Sequence, residues 1–313
     1  MSEQEQTVTG IRKWLIAARP FSFTASVVAV LLGLAVSYHM GYPIRWILFL
    51  LTLSGMLSFQ VAANLLNDCY DHRRELDTQV FPTSGAVVRG LISERQAFRA
   101  ALVCLVAGTA CGLALATVAG PVVLLLGVIG AIIALGYTTA RLCFKYVRLG
   151  DAAIFCAFGI LPVFGTYWVQ AQQFSWQPIL WSVPLVLVTV GILHANNWRD
   201  IESDRAKGCR TFAGLLGEQG SRVYHHLLVL LPFVLTVGFI VIRLVAGVEM
   251  VAPLSALIAL LALPSALKLA RIDRSHHAEA FVALDGATAQ LQLKLGLLLT
   301  VALIVSRHLP APW

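Results

Sequence analysis

Asn64 and Asp68 stand four residues apart, as do Asn196 and Asp200, and on a helix that spacing brings an amide and a carboxylate onto one face. Acids gather around each pair: Asn64-Leu65-Leu66-Asn67-Asp68-Cys69-Tyr70-Asp71 with Asp77 beyond, and Asn196-Asn197-Trp198-Arg199-Asp200-Ile201-Glu202-Ser203-Asp204. Both runs close long apolar segments. A carboxylate near hydrocarbon costs about 2.5–3.5 kcal/mol on insertion scales, so acids retained there point to use. Oxygen-only donors with several carboxylates select hard divalent cations, and Mg²⁺ completes its shell with water and substrate phosphate. Asp68, Asp71, Asp77, Asp200 and Asp204 would repel a free phosphate unless metal ions intervened, and two Mg²⁺ would nearly cancel their charge. Arg73, Arg74, Lys145, Lys207 and Arg210 share the same loops and offer partners to outer phosphate oxygens. The chemistry implied is a diphosphate held at a membrane surface.

The elements that position these acids are read from hydropathy. A chain of 313 residues with 58% hydrophobic and 12% charged residues is a polytopic membrane protein. Spans of about 20 residues cross a hydrocarbon core of ~30 Å. Nine are predicted, at roughly 21–40, 46–67, 96–118, 121–139, 150–171, 177–196, 222–246, 250–270 and 287–306. Most of the 23 Lys and Arg residues fall at the N-terminus and in alternate connections, whereas the other face keeps only Arg45, Arg243 and Arg307. The positive-inside rule then puts the N-terminus and both acid clusters on the cytoplasmic side and the C-terminus outside. Met1 to Gly10 lacks a signal-peptide pattern, so the first span is expected to stay. The six cysteines form no C-x-x-C pair and are expected to be free thiols. The net charge of +7 is spread over cytoplasmic loops, which argues for topology and an anionic lipid or substrate and against nucleic acid.

The two clusters echo one another, each ending an even-numbered span and each followed by a polar stretch rich in Arg, Gly, Ser and Thr. A single domain over 1–313 is expected, with pseudo-repeats at about 15–145 and 146–270 and the site at their interface. An ion path is the structural alternative, although acids on such paths usually lie mid-span. Solvated helix ends are the plainer alternative.

The motifs Asn67-Asp68-Cys69-Tyr70-Asp71 with Asp77, Asn196-Asn197-Trp198-Arg199-Asp200-Ile201-Glu202-Ser203-Asp204-Arg205 and Gly208-Cys209-Arg210-Thr211 resemble the two aspartate-rich signatures of the UbiA-type intramembrane aromatic prenyltransferases. The second motif is similar to the menaquinone branch, 1,4-dihydroxy-2-naphthoate polyprenyltransferase. So are Arg19-Pro20, Leu149-Gly150-Asp151 and the Phe158-to-Tyr167 stretch. The resemblance implies two Mg²⁺ bridging the diphosphate of a polyprenyl donor, with Asn64, Asp68 and Asp71 on one ion and Asp200 and Asp204 on the other. Asp68, Asp71, Asp200 and Asp204 would then be catalytic. Substrate contacts are expected from Asn64, Asn67, Asp77, Arg74, Tyr137, Arg141, Lys145, Asn196, Asn197, Lys207, Arg210 and Arg19. Ionisation of the donor would give an allylic cation, which Tyr137, Tyr167 and Trp198 are placed to face through their π clouds and the electron-rich acceptor ring captures.

The sequence departs from that branch at Glu75, Lys145, Arg148 and the Ser84-to-Gly90 stretch, which puts the acceptor in question and leaves the acids intact. Acceptors kept open are 1,4-dihydroxy-2-naphthoate, 4-hydroxybenzoate, homogentisate and a quinolone, and ion-coupled transport is the non-enzymatic alternative. Asp151 is read either as a helix cap or as a residue near the acceptor. His194 is expected to be a buried, hydrogen-bonded histidine. The architecture expected is all-α: nine transmembrane helices around a central cavity in the cytoplasmic (inner) membrane, closed by the 68–95 and 197–221 loops. The partners expected are a polyprenyl diphosphate, an aromatic acceptor and the lipid bilayer, with no obligate protein partner.

Overall fold

Pro20 decides where the first long helix starts. The computed structural model describes residues 10–73, 85–138, 144, 147–206, 208–246, 252–272, 274–275 and 277–309, and only the backbone of residues 21, 71, 73, 138 and 246. Within it α1 (Ile11–Ala18) stops at Arg19, which turns left-handed with φ 54° and ψ 64°. Proline cannot continue the preceding helix. α2 (Phe23–His39) therefore leaves at 64° to α1.

The remaining helices follow in order: α3 (Trp46–Arg73), α4 (Glu94–Ala119), α5 (Val122–Thr138), α6 (Gly150–Phe155), α7 (Leu161–Ala171) and α8 (Gln177–Arg199). After these come α9 (Ile201–Ala206), α10 (Phe212–Ala246), α11 (Leu263–Leu269), α12 (Ala278–Val282) and α13 (Leu284–Ser306). A π-helical turn, Cys156–Ile160, joins α6 to α7, and a 3-10 segment, Leu254–Ala262, leads into α11. No strand occurs among the described residues, only an isolated bridge between Val147 and Arg210.

The protein is an all-helical integral membrane protein. Among the described residues six helices are long and apolar enough to cross a bilayer, or seven if the bent α1–α2 pair counts as one span. The expected windows 121–139 and 250–270 correspond to the shorter helices Val122–Tyr137 and Leu254–Leu269. In the second window Pro264 lies in the first turn of α11, where it ends the 3-10 segment and cannot extend it as one regular helix. The stretch 197–221, expected as a loop, is largely helical. Thr211 starts α10 early by accepting the Gly214 N–H at 3.1 Å, an N-cap that its position before Phe212 allows. Gly217, at φ 68°, then breaks the helical path.

Three contacts fix which helix ends lie together. Arg19, ahead of α2, pairs with Asp68 near the end of α3. At the other end of α2, His39 Nδ1 meets Ser306 Oγ at 2.6 Å, so α2 and α13 run parallel. The start of α13 meets the end of α8, where Arg199 Nη1 donates to Asp285 Oδ2 at 3.0 Å. Asp68 and Asp200 therefore lie at the same end of the bundle. Glu94, Asp151 and Ser221 belong to that end as well, through the contacts Cys69 to Glu94 and His194 to Asp151 and Ser221. The opposite end gathers Tyr38, Arg45, Gln170 and Arg307.

α13 lies between α2 and α8, and the largest core is built from α2, α8, α10 and α13. Gly296 permits this approach: a Cβ there would collide with Val28 of α2 and Leu185 of α8. Gly33 does the same between α2 and α7, where a Cβ would collide with the Val163 carbonyl and Thr166. α4 and α5 turn apolar side chains such as Val103, Val106, Leu125 and Ile132 outward, as lipid contact requires.

Candidate active site

Asp68 is buried within the last two turns of α3, its side chain 0% exposed. One carboxylate oxygen takes the Arg19 guanidinium and the other accepts the Ala86 N–H at 2.9 Å. Two charge-assisted hydrogen bonds offset much of the cost of burying the acid. Asn64, one turn earlier, is also buried, and its Nδ2 donates to Ala18 O at 2.8 Å and Ser22 Oγ at 3.0 Å. The α1–α2 bend is thereby tied to α3 by Asn64 and Asp68 together. Gln60 adds a third tie, accepting from Ser26 Oγ at 2.8 Å. Asn67 is half-buried.

The second cluster is organised by Arg199. Its Nε and Nη2 reach both oxygens of Asp200 at 3.1 and 3.2 Å, Nη2 also reaches Asn196 Oδ1, and Nη1 reaches Val282 O and Asp285 Oδ2. Arg199 ends α8 and Asp285 opens α13, so each charge also complements its own helix dipole. Arg274 Nη2 donates to the carbonyls of Trp198 and Arg199 at 2.8 and 2.9 Å, which satisfies the end of α8. α9 continues from Asp200, with the Asp204 N–H on Asp200 O at 2.8 Å. Asp204 follows Asp200 by four residues and is half-buried, and Asn197 is buried beside them. Arg210 is exposed, its backbone bridged to Val147.

Tyr137 is half-buried near the end of α5. Trp198 is buried in the main core, edge-on to Phe281 with ring centroids 4.7 Å apart. Tyr167 meets Tyr42 edge-on at 6.2 Å, toward the end of the bundle away from the acids. Cys69, Cys104, Cys111, Cys156 and Cys209 form no disulfide among the described residues. Arg74, Asp77, Arg141, Lys145 and Lys207 lie outside the described residues, as do the side chains of Asp71 and Arg73.

Sequence reasoning did not assign Ser22, Gln60, Ala86, Arg199, Arg274 or Asp285 to the site. Arg199 had a signal, since it follows Asn196 by three residues and shares its helix face. Ala86 contributes only a backbone N–H, and Asp285 lies 86 residues from its partner Arg199.

The donor set fits magnesium in kind. Asn64, Asp68, Asp200 and Asp204 supply only oxygen for a cation, and no His/Cys ligand set competes among the described residues. Among the described residues no three Asp, Glu, His or Cys side chains form a cation cage. Mg²⁺ rarely uses one, since one or two carboxylates, water and substrate phosphate complete its octahedron. A carboxylate has about four lone-pair sites, so the arginine contacts leave acceptor capacity on Asp68 and Asp200.

The fold and this end of the bundle define a helical membrane protein with paired acidic helix ends. The model of the UbiA prenyltransferase family matches residues 26–293. The chain is 32% identical over 295 residues to UbiA prenyltransferase domain-containing protein 1 of Xenopus tropicalis, covering 94% of this chain and 82% of that one. It is 31% identical to the Homo sapiens protein of that name over 295 residues, or 94% of this chain and 83% of that one. In structure it is similar to the apo form of a UbiA homolog from Aeropyrum pernix K1, with TM-score 0.63, 18% identity and coverage of 95% and 99%. A UbiA homolog from Archaeoglobus fulgidus, whose structure holds DMAPP and Mg²⁺, gives TM-score 0.60 and 17% identity over 94% and 99%. The chain belongs to the UbiA prenyltransferase family and is a prenyltransferase. That sets aside ion-coupled transport.

Proposed function

We propose that the protein transfers a polyprenyl group from an allylic diphosphate to an aromatic acceptor, with Mg²⁺ as cofactor, and that 1,4-dihydroxy-2-naphthoate is the acceptor in menaquinone synthesis. The observation that carries the reading is the placement of Asp68 and Asp200 at one end of the bundle, each beside an arginine. The Archaeoglobus fulgidus homolog with DMAPP and Mg²⁺ supports the donor chemistry. The acceptor rests on the motif resemblance alone.

Asn64, Asp68 and Asp71 would hold one ion and Asp200 and Asp204 the other. When bound, the ions neutralise charge that builds on the departing diphosphate. Arg19 and Arg199 already fix the orientation of Asp68 and Asp200, which lowers the reorganisation needed for binding. Arg210 with Lys207, and Arg74 with Lys145, take outer phosphate oxygens or an acceptor carboxylate. Apolar helix faces exclude water while the allylic cation exists. Nine spans are part of the proposal, with Val122–Tyr137 and Leu254–Leu269 as the two short ones. We also propose pseudo-repeats at about 15–145 and 146–270, an inner-membrane location and the acid end toward the cytoplasm.

The test is a membrane assay with one polyprenyl diphosphate, Mg²⁺ and a panel of acceptors: 1,4-dihydroxy-2-naphthoate, 4-hydroxybenzoate, homogentisate and a quinolone. Mass-identified product with the naphthoate is expected. Product with another acceptor overturns the menaquinone assignment, and no Mg²⁺-dependent diphosphate release overturns the site.

A further inference from the structure

A second polar group lies deeper in the same end, made by Asp151, His194 and Tyr224. Asp151 occupies the first turn of α6, yet neither of its buried carboxylate oxygens receives a hydrogen bond, so it does not cap that helix. His194 of α8 is fully buried, and its Nε2 faces Ser221 O at 3.2 Å. A carbonyl only accepts, so Nε2 carries a hydrogen, and with one hydrogen on the ring Nδ1 is the acceptor. Nδ1 has no hydrogen-bond partner and faces Asp151 Oδ2 at 3.7 Å, beyond hydrogen-bond range. Tyr224, on α10, stands edge-on to His194 with centroids 4.7 Å apart and has its hydroxyl within reach of Asp151 as a donor, and Phe212 closes on its ring at 5.2 Å.

Asp151 Oδ2 and His194 Nδ1, buried 3.7 Å apart and each without a hydrogen-bond partner, favour a ligand that donates a hydrogen between them. A hydroxyl oxygen placed off the Nδ1–Oδ2 line reaches both groups, whereas a carboxylate there would be repelled. His194 precedes Asp200 by six residues, about 9 Å of helix rise toward the interior. Resting on the prenyltransferase reading above, we propose that Asp151 and His194 bind a ring hydroxyl of the aromatic acceptor and receive its proton as the new bond forms.

In that step the O–H bond breaks and its proton passes to Nδ1, while the electron pair stays on oxygen. The ring carbon activated by that oxygen forms the C–C bond to the allylic cation. Asp151 balances the imidazolium charge. Loss of CO₂, or of H⁺ to the released diphosphate, from the substituted carbon leaves its bonding pair in the ring, and His194 returns its proton to the oxygen. The acceptor's carboxylate, where it has one, is left to the basic loops.

The test compares Asp151→Asn and His194→Gln with wild type in membranes, using polyprenyl diphosphate and Mg²⁺ with and without 1,4-dihydroxy-2-naphthoate or the acceptor that the panel identifies. Prenylated product is expected to fall about 10²–10⁴-fold while acceptor-free diphosphate release stays within about threefold of wild type. The allylic alcohol replaces the product. The quantity read is product per diphosphate released, which does not depend on how much protein folds. An unchanged ratio in either variant overturns the proposal, as does a parallel loss of release and product. A wild-type protein that releases no diphosphate overturns the reading beneath it and the proposal together, which separates the two failures.

Discussion

The two acid clusters invert one another. In the first, the acid is the enclosed partner: the side chain of Asp68 is 0% exposed and that of Arg19 20%. In the second, the arginine is enclosed, with 14% exposure for Arg199 against 36% for Asp200. Asp68 is held by groups from outside its own helix, the guanidinium ahead of α2 and the Ala86 N–H. Asp200 is held by its chain neighbour, which is itself anchored by Asp285, Val282 O and Asn196. The first cluster thus joins elements of the fold, and the second presents a carboxylate outward from a fixed arginine.

Breaking each acid separates these roles. Asp68→Ala leaves the Arg19 guanidinium without its carboxylate and should cost about 3–5 kcal/mol in stability. Asp200→Ala leaves Arg199 with Asp285 and Asn196 and should cost about 1 kcal/mol or less. Thermal unfolding in detergent reads the difference, and equal losses would show that burial does not distinguish the clusters.

A smaller effect is expected where the fold aligns the two. Gly296→Ala forces α13 away from Val28 and Leu185 and should cost about 1–3 kcal/mol through overpacking. Since α13 reaches the second cluster through Asp285 and α2 the first through Arg19, diphosphate release should fall with it. Wild-type stability in this variant would mean that the helices separate at little cost. The smallest effect is expected for Asp285→Asn, which loses one half-exposed partner of Arg199 and should cost about 0.2–1 kcal/mol in the same unfolding measurement. A larger loss would make Asp285 the main support of the second cluster.

How much of this was legible in the sequence depends on the range of the interaction. The 177–196 and 287–306 windows lie within Gln177–Arg199 and Leu284–Ser306, because continuous apolar runs of membrane length admit few alternatives. The 46–67 window ends early: α3 runs to Arg73, because the pair with Arg19 lets a charged residue stay helical and buried where hydropathy alone ends the span. The clusters themselves were visible as local spacings. Their partners were not, since Arg19 lies 49 residues from Asp68 and no local pattern marks Ala86 as a donor. Asp151 and His194 were visible as residues, but their facing acceptors depend on how α6 meets α8.

The central claim is that Asp68 and Asp200 act on one metal-bound diphosphate. The most direct test is a double-mutant cycle on Mg²⁺-dependent diphosphate release with Asp68→Asn, Asp200→Asn and the pair, each normalised to folded protein. If the two carboxylates work as a unit, each single variant should lose about 10²-fold or more and the double variant little beyond either one. Losses that multiply, or a single variant that keeps wild-type release, would contradict a shared site.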